Sequence, residues 1–524
     1  MIKRLFQIIF ITTLLLSCSS VEKYNASIAE KHSLKELKED VDYAYEKLKR
    51  LHPNLYQYIS KEDLEANFNQ LKAELNTPLS SIEFYTKLAP VIASIGQGHT
   101  RVFSPHKRQT KKEKKKFGRR KFPFRTLRFT TIQDKIFIDK AFASDSLLLR
   151  GTELLKIEGE DVQKLATAYQ KLLTGDGYTT NFEPEIARKR IGDYYYYTHQ
   201  LKDSIQLSFK YKDSVFTKYI YAFPKKKNEA KAKKKSDKEK KKKLTKTARK
   251  LAKKKKRARE DWEWNHGYDK FTKESVRNFE FLDAVNGKVA YLKIRGFHKG
   301  SYEEFYDEVF KKIDSSKVDN LVIDLRDNTG GRLAEIAYIN SYLTTKEAPY
   351  VLPAKMTRAN NRFYPYFHSQ SVLHKSLAYL LFPVLKTYQL IKVKKVNGEP
   401  HFHFKYSKPR KPKETYNYKG NLYVLTNAIS FSASAVFSSV LKATKRAVLV
   451  GDETGGAFNS TVAGGFADVI LPNSKEILKI GLMLLETPYK ETPDGYGVKP
   501  DKYIPTTTLE KDEQLEWVLE QVAN

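Results

Sequence analysis

The sequence predicts an α/β protein of several domains: a helical N-terminal part, a β-rich middle and an α/β core. Three observations carry this expectation. The 524 residues exceed one ordinary domain. Residues 34 to 94 repeat apolar side chains at helical spacing, and from 288 onward short apolar strands alternate with helical stretches, the pattern of βαβ units. Hydrophobic residues at 40% and aromatics at 13% supply material for sizeable cores and exclude a wholly disordered or collagen-like chain. The single Cys excludes disulfides within the chain and thiolate metal clusters.

The first 17 residues read as a signal peptide, with Lys3-Arg4, an apolar run from Leu5 to Leu16, and a small residue before the cleavage point. A run of twelve residues is too short to span a bilayer as a stable helix. Leu15-Leu16-Ser17-Cys18 resembles a bacterial lipoprotein box, which implies that Cys18 is lipidated and anchors the protein to a membrane of the cell envelope, on the periplasmic face or the cell surface. Residues 18–33 then form a polar tether. Residues 34–100 form the helical domain: Leu37, Val41, Ala44 and Leu48 open the first of three helices, which are interrupted at His52-Pro53 and Pro78.

Residues 101–126 are a basic segment, and 127–224 are strand-rich. Arg150 to Gly159, a following helix near 162 to 173, and the alternation Ser204 to Phe209 resemble a PDZ domain, whose open sheet edge takes a peptide as an added strand. Residues 225–260 are a Lys-rich insertion; like charges three and four apart oppose helix, so it is expected to be solvated and mostly disordered. Residues 261–524 form the core: strand 289–294, helix 302–313, strand 321–325, helix 333–343, strand 422–425, helix 432–444 and strand 447–450. An aromatic insertion, 346–418, interrupts it with an apolar helix near 374–388 and a hairpin turning at Asn397-Gly398, and is expected to cap the site.

The net charge of +34 sits mostly in two places. Residues 225–259 hold 21 Lys/Arg against three acids, and residues 107–125 hold 11 against one, so these runs carry 28 of the 34. The remainder is nearly ordinary in charge. Nucleic acid is disfavoured as a partner, because the longer run lacks aromatic residues for base stacking and an exported protein rarely meets it. An anionic lipid or envelope glycan is the expected partner of the runs. Composition leaves the oligomeric state open.

The chemistry-bearing stretch is Thr426 to Ala435, where Ser430, Ser432 and Ser434 stand at a strand-to-helix junction. Free backbone N–H groups and the helix dipole there favour developing negative charge, which an acyl-transfer nucleophile needs. Helix capping is the competing reading of the same serines. Leu325-Arg326-Asp327-Asn328-Thr329-Gly330-Gly331 adds a glycine pair after a buried strand, where backbone amides can approach a ligand. No Gly-x-Ser-x-Gly or His-Glu-x-x-His pattern occurs. His401 and His403 alternate on a strand but lack a third metal ligand nearby.

Together with Arg446 to Gly456, these segments resemble the C-terminal processing and tricorn-core family of serine peptidases. The resemblance covers nearly the whole mature chain apart from the basic runs and the 346–418 insertion. It implies a crotonase-like α/β core and peptide hydrolysis through an acyl-enzyme, with no metal or organic cofactor and a peptide or protein as substrate. It also implies Ser432 as nucleophile, with the N–H of Ala433 and one from Gly330 or Gly331 as oxyanion donors. The lysine base of the processing branch is replaced by Ala457. The tricorn-like branch is matched at Gly98-His99-Thr100, which makes His99 the general base. The relay carboxylate falls on Asp494, one methylene shorter than the family's Glu, and Gly98 stands where tricorn has a relay serine. The alternative is a non-catalytic ligand- or peptide-binding protein on the same fold.

Overall fold

The computed structural model describes residues 21–118, 122–142, 148–199, 202–222, 246–285, 287–357, 363–364 and 372–523. Cys18 and the first part of the Lys-rich insertion lie outside them. Within the polar tether, Val21–Ser27 forms a short helix. Asn25 pins it by a reciprocal pair with Arg108: its amide donates to the Arg108 carbonyl at 2.8 Å and accepts from the Arg108 N–H at 2.7 Å.

Three helices follow as the periodicity requires. Leu34–Leu51 and Ser81–Ala93 each open on a Ser/Glu capping box, Ser33 with Glu36 and Ser80 with Glu83. Lys61–Glu74 is capped by Ser60. Strand β1, Arg101–Phe103, leaves the last of these helices. Within the basic segment, Thr110 and Glu113 box the start of a two-turn helix, Lys111–Phe117.

The middle region is an antiparallel sheet of β2 (Leu127–Ile132), β3 (Lys135–Ala141), β4 (Glu153–Ile157), the short β5 (Glu160–Asp161), β6 (Ser204–Tyr211) and β7 (Ser214–Tyr221). Its order is β2-β3-β4-β6-β7, with β5 beside β4. Ile205, Leu207 and Phe209 alternate into the interior along β6, as period-two patterning dictates. Helices Val162–Gln170, Phe182–Lys189 and Ile191–Thr198 lie between β5 and β6 in the chain.

The Lys-rich insertion departs from expectation. Lys246–Asn265 is a 20-residue helix, so disorder is not its state over residues 246–259. Lys, Arg and Ala are good helix formers, and the acids that relieve the repulsion come one turn later: Glu260 pairs with Lys256 and Glu263 with Arg259 at i,i+4.

The core sheet runs β18-β15-β14-β10-β9-β8, built from β8 (Arg277–Ala284), β9 (Gly287–Ile294), β10 (Asn320–Asp324), β14 (Asn421–Thr426), β15 (Val448–Gly451) and β18 (Lys502–Tyr503). All neighbours are parallel except the β8/β9 hairpin. Side chains alternate between its two faces. Ala290, Leu292, Leu321, Ile323 and Val424 pack with residues of helices Glu303–Ser315, Leu333–Leu343 and Ala433–Ala443. Val289, Val322, Leu425 and Val450 pack with Val518 of helix Glu513–Ala523. The strand and helix assignments from 288 onward agree with the sequence reading to within two residues at most ends.

A third sheet joins parts the sequence kept separate. The hairpin of β16 (Ser460–Ile470) and β17 (Ile477–Glu486) pairs through β17 with β1 on one side, Arg101 opposite Lys479. The 346–418 insertion adds β11 (Ala354–Lys355), β12 (Val393–Val396) and β13 (Glu399–Phe402) to the far end of β17. Asn397 and Gly398, both with positive φ, make the expected tight turn. The apolar stretch near 374–388 forms two helices, Val372–Leu380 and Phe382–Lys392, because Pro383 starts a new helix at its first turn. One continuous apolar core unites the N-terminal helices, the middle sheet and the β16/β17 hairpin. The helical segment 34–100 is therefore not a free-standing domain, since its buried faces are covered by β17 and by helix Ile191–Thr198 of the middle region.

Candidate active site

The loop after β10 and the loop after β14 lie side by side, and polar contacts fix both. Arg326 forks onto Asp324 and onto Asp512 at the C-terminal helix, each at 2.7 Å. Asp327 accepts from Lys189 at 2.7 Å and from the Asn427 amide at 3.0 Å. Buried Asn328 donates to the Ile294 carbonyl and accepts from Gly330 N–H, both at 2.9 Å, and its own carbonyl receives the Phe431 N–H. Ser430 donates to the Leu325 carbonyl at 2.9 Å, a structural role of the kind the capping reading assigned to these serines.

Ser432 stands at the entry to helix Ala433–Ala443 with φ 54° and ψ −119°, a conformation an L-residue rarely adopts. Neighbouring glycines make room for it. A Cβ on Gly330 would lie 2.7 Å from Ala433 N and 2.9 Å from Ser432 Cβ, and one on Gly456 would lie 2.8 Å from Ser432 N. The turn is thus held in a strained state by close backbone packing on two sides.

His99 comes from the other end of the chain, on the turn between helix Ser81–Ala93 and β1. Its Nε2 lies 2.9 Å from Ser432 Oγ across 333 sequence positions. The imidazole stands edge-on to Phe431 and Phe466, each at 5.4 Å between ring centres. Burial pushes its pKa down to about 3, with Arg101 and Lys479 adding to the shift. At neutral pH the ring is uncharged and can accept a proton from the serine hydroxyl.

A loop of the middle region, 174–179, holds this turn, and sequence reasoning missed it. Asp176 accepts the Gly98 N–H at 2.7 Å, Gly177 N–H donates to the Gly96 carbonyl at 2.8 Å, and Thr174 donates to the Thr100 carbonyl at 3.0 Å. Asp176 is fully buried, which raises its pKa to about 7 against the backbone donors that favour the charged form. Only the Gly-Asp-Gly spacing of 175–177 hinted at a tight polar turn.

One expectation needs correction and a second is narrowed. Asp494 does not meet His99: it is exposed, and its oxygens accept from Asn459 at 2.8 Å and Gln57 at 3.0 Å. Among the described residues no carboxylate hydrogen-bonds or ion-pairs with His99. These two neutral amides engage both Asp494 oxygens and hold the side chain away from the imidazole. For the oxyanion donors, the Gly330 N–H is already given to Asn328, which leaves Gly331 as the second candidate beside Ala433. Ala457, at the position of the processing-branch lysine, is buried and bridges Gly497.

A cavity of about 160 Å³ opens beside His99 and Thr329. Phe103, Leu173, Phe182, Ile186 and Tyr197 supply apolar walls, and Arg101, Arg190 and Asp193 supply charge. None of its lining residues comes from 346–418, so the insertion does not cap this cavity among the described residues. Nor do the described residues hold any cluster of three His, Cys, Asp or Glu side chains fit for a metal, His401 and His403 included.

A serine on a strained turn at a helix start, hydrogen-bonded to a neutral, half-buried imidazole, has the arrangement that the nucleophile and base of a serine hydrolase require. Comparison with known proteins narrows the class. Residues 288–504 match the model of peptidase family S41. The tail-specific protease of Haemophilus influenzae is 25% identical over 176 residues, which are 33% of this chain and 18% of that protein, so the chain spans less than a fifth of this relative in the match. The fold is similar to that of mature CPAF, with a TM-score of 0.57 at 15% identity over 94% of this chain and 96% of that one. It is also similar to mature CPAF complexed with lactacystin, with a TM-score of 0.59 at 14% identity over 94% and 98%. The segment 288–504, which carries Ser432, is thus the part of the chain that is similar to the S41 peptidases.

Proposed function

We propose that the protein hydrolyses peptide bonds through an acyl-enzyme formed on Ser432. The observation that carries this is the 2.9 Å approach of His99 Nε2 to Ser432 Oγ inside a turn strained at the serine. His99 takes the hydroxyl proton as Oγ attacks the scissile carbonyl. The N–H groups of Ala433 and Gly331 are the proposed donors to the resulting oxyanion. His99 then returns the proton to the leaving amine, and water attacks the acyl-enzyme by the same route in reverse. No step calls for a metal or organic cofactor.

The core is read as crotonase-like and the middle sheet as PDZ-like, its free strand edges suited to an extended peptide. Lipidation of Cys18 would anchor the enzyme in the bacterial cell envelope, and a Cys18→Ala chain would then move from the membrane to the soluble fraction. The Lys-rich runs are read as accessory contacts to anionic lipid or glycan.

A fluorophosphonate probe tests the mechanism directly. Wild type should be labelled on Ser432, and Ser432→Ala and His99→Ala should each lose at least about a thousandfold in peptide turnover while remaining folded. The second reading, a non-catalytic binding protein, draws on the lack, among the described residues, of a carboxylate bonded to His99. Folded wild-type protein that takes no label would favour it.

A further inference from the structure

We propose that the helix pair Val372–Leu380 and Phe382–Lys392 is a membrane-interface surface that lies on anionic bilayers. In a water-soluble setting these helices are anomalous. Leu380, Val384, Leu390 and Ile391 are each 65–69% exposed, and Leu377 and Leu381 are exposed as well. Helix Phe382–Lys392 has no buried residue at all, and of the other only Ala378 is buried among the described side chains. Monomeric soluble proteins rarely leave so much contiguous apolar surface in water.

The charge around the pair selects the occupant. From 348 to 398 the sequence holds eight Lys/Arg and no Asp or Glu. Lys375, Lys386, Lys392, Lys394 and Lys395 all lie on the two helices or the strand β12 that follows them. Exposed Leu, Ile and Val beside lysines without a single acid is the composition of an element buried to the headgroup boundary of an anionic bilayer. A second copy of this chain fits poorly, because a two-fold contact through this face would set the same lysines against each other. The helices have 9 and 11 residues, about 17 Å at most, so they can lie in the interface but not cross it.

The surface is separate from the catalytic cavity, which it does not line, and from the Lys-rich helix Lys246–Asn265. It also does not require Cys18. The insertion thus gains a role that the sequence expectation of a lid did not give it.

The test uses the full chain carrying Cys18→Ala, which removes the only thiol and any lipid anchor. Val384→Cys in that background is labelled with an environment-sensitive fluorophore and mixed with vesicles of phosphatidylglycerol and phosphatidylethanolamine. A blue shift is expected that survives transfer of the bound complex to about 1 M salt, where the Debye length is about 3 Å. Phosphatidylcholine vesicles should give a much weaker one. Leu377→Ser, Leu380→Ser, Leu390→Ser and Ile391→Ser combined, again with Cys18→Ala, should weaken co-sedimentation with the anionic vesicles about tenfold or more. That variant should keep wild-type circular dichroism and fluorophosphonate labelling. Absence of a shift with anionic vesicles would overturn the proposal, as would undiminished vesicle binding by the folded quadruple variant. A shift produced by raising protein concentration without lipid would also overturn it, in favour of self-association.

Discussion

Ser432 and His99 divide the labour of the site unequally. The serine's unusual backbone is enforced by glycine contacts, whereas the imidazole is set by its surroundings: two aromatic edges, two nearby cations and, among the described residues, no bonded carboxylate. Because Asp494 is bound to Gln57 and Asn459 and not to His99, Asp494→Asn is expected to lower kcat/KM by less than about tenfold. A relay carboxylate would cost far more, on the order of ten-thousandfold. Steady-state cleavage of a fluorogenic peptide decides between them. Away from the site, Glu476 is fully buried with neither carboxyl oxygen hydrogen-bonded, and burial, with Asp40 adding to it, raises its pKa well above the ordinary range. Burial therefore favours the protonated form of Glu476. A raised folded pKa gives stability that is full below the unfolded value near 4.3 and is lost as pH rises toward the folded value. Glu476→Gln should match wild type in acid and exceed it at alkaline pH by about 1–3 kcal/mol, read from urea unfolding at several pH values.

At the level of elements, the site is a meeting of turns, and each turn depends on a partner distant in sequence. Gly98 shows why the tricorn-type serine has no place here: a Cβ would lie 2.2 Å from Phe431 Cζ. Gly98→Ser should therefore push the His99 turn off Ser432 and lower turnover about a hundredfold. In a double-mutant cycle with Phe431→Leu, which shortens the obstructing side chain, the coupling should be at least about 0.5 kcal/mol. The helices and strands themselves were legible because apolar periodicity and capping residues are local signals. Ser33 with Glu36 and Ser80 with Glu83 announce helix starts within four residues. The Lys-rich helix was not legible, because the acids that stabilise it, Glu260 and Glu263, lie at or beyond the end of the basic run.

Across the whole molecule, one core binds the N-terminal helices to the middle sheet and to the β16/β17 hairpin. His99 reaches Ser432 only because β1 is sewn onto β17 and the 174–179 loop closes behind it. These regions should unfold together. Leu88→Ala, deep in the helix before His99, is expected to cost about 2–5 kcal/mol. In calorimetry it should lower one shared transition; an early transition confined to the N-terminal helices would contradict a shared core.

The sequence by itself determined the order of helices and strands, the βαβ core, the concentration of charge in two runs, and the strand-to-helix junction bearing Ser432. Those features are written in periods of two and 3.6 residues and in short motifs, so neighbouring residues suffice to state them. It also singled out His99, through a short match and the missing lysine at Ala457. Only the tertiary structure decided that His99 lies against Ser432, that Asp494 is engaged by Gln57 and Asn459, that Asp176 steadies the histidine turn, and that the helix pair Val372–Leu380 and Phe382–Lys392 faces solvent. Each of these is a contact or an exposure set by packing between segments tens to hundreds of residues apart, and such pairings leave no period in the sequence.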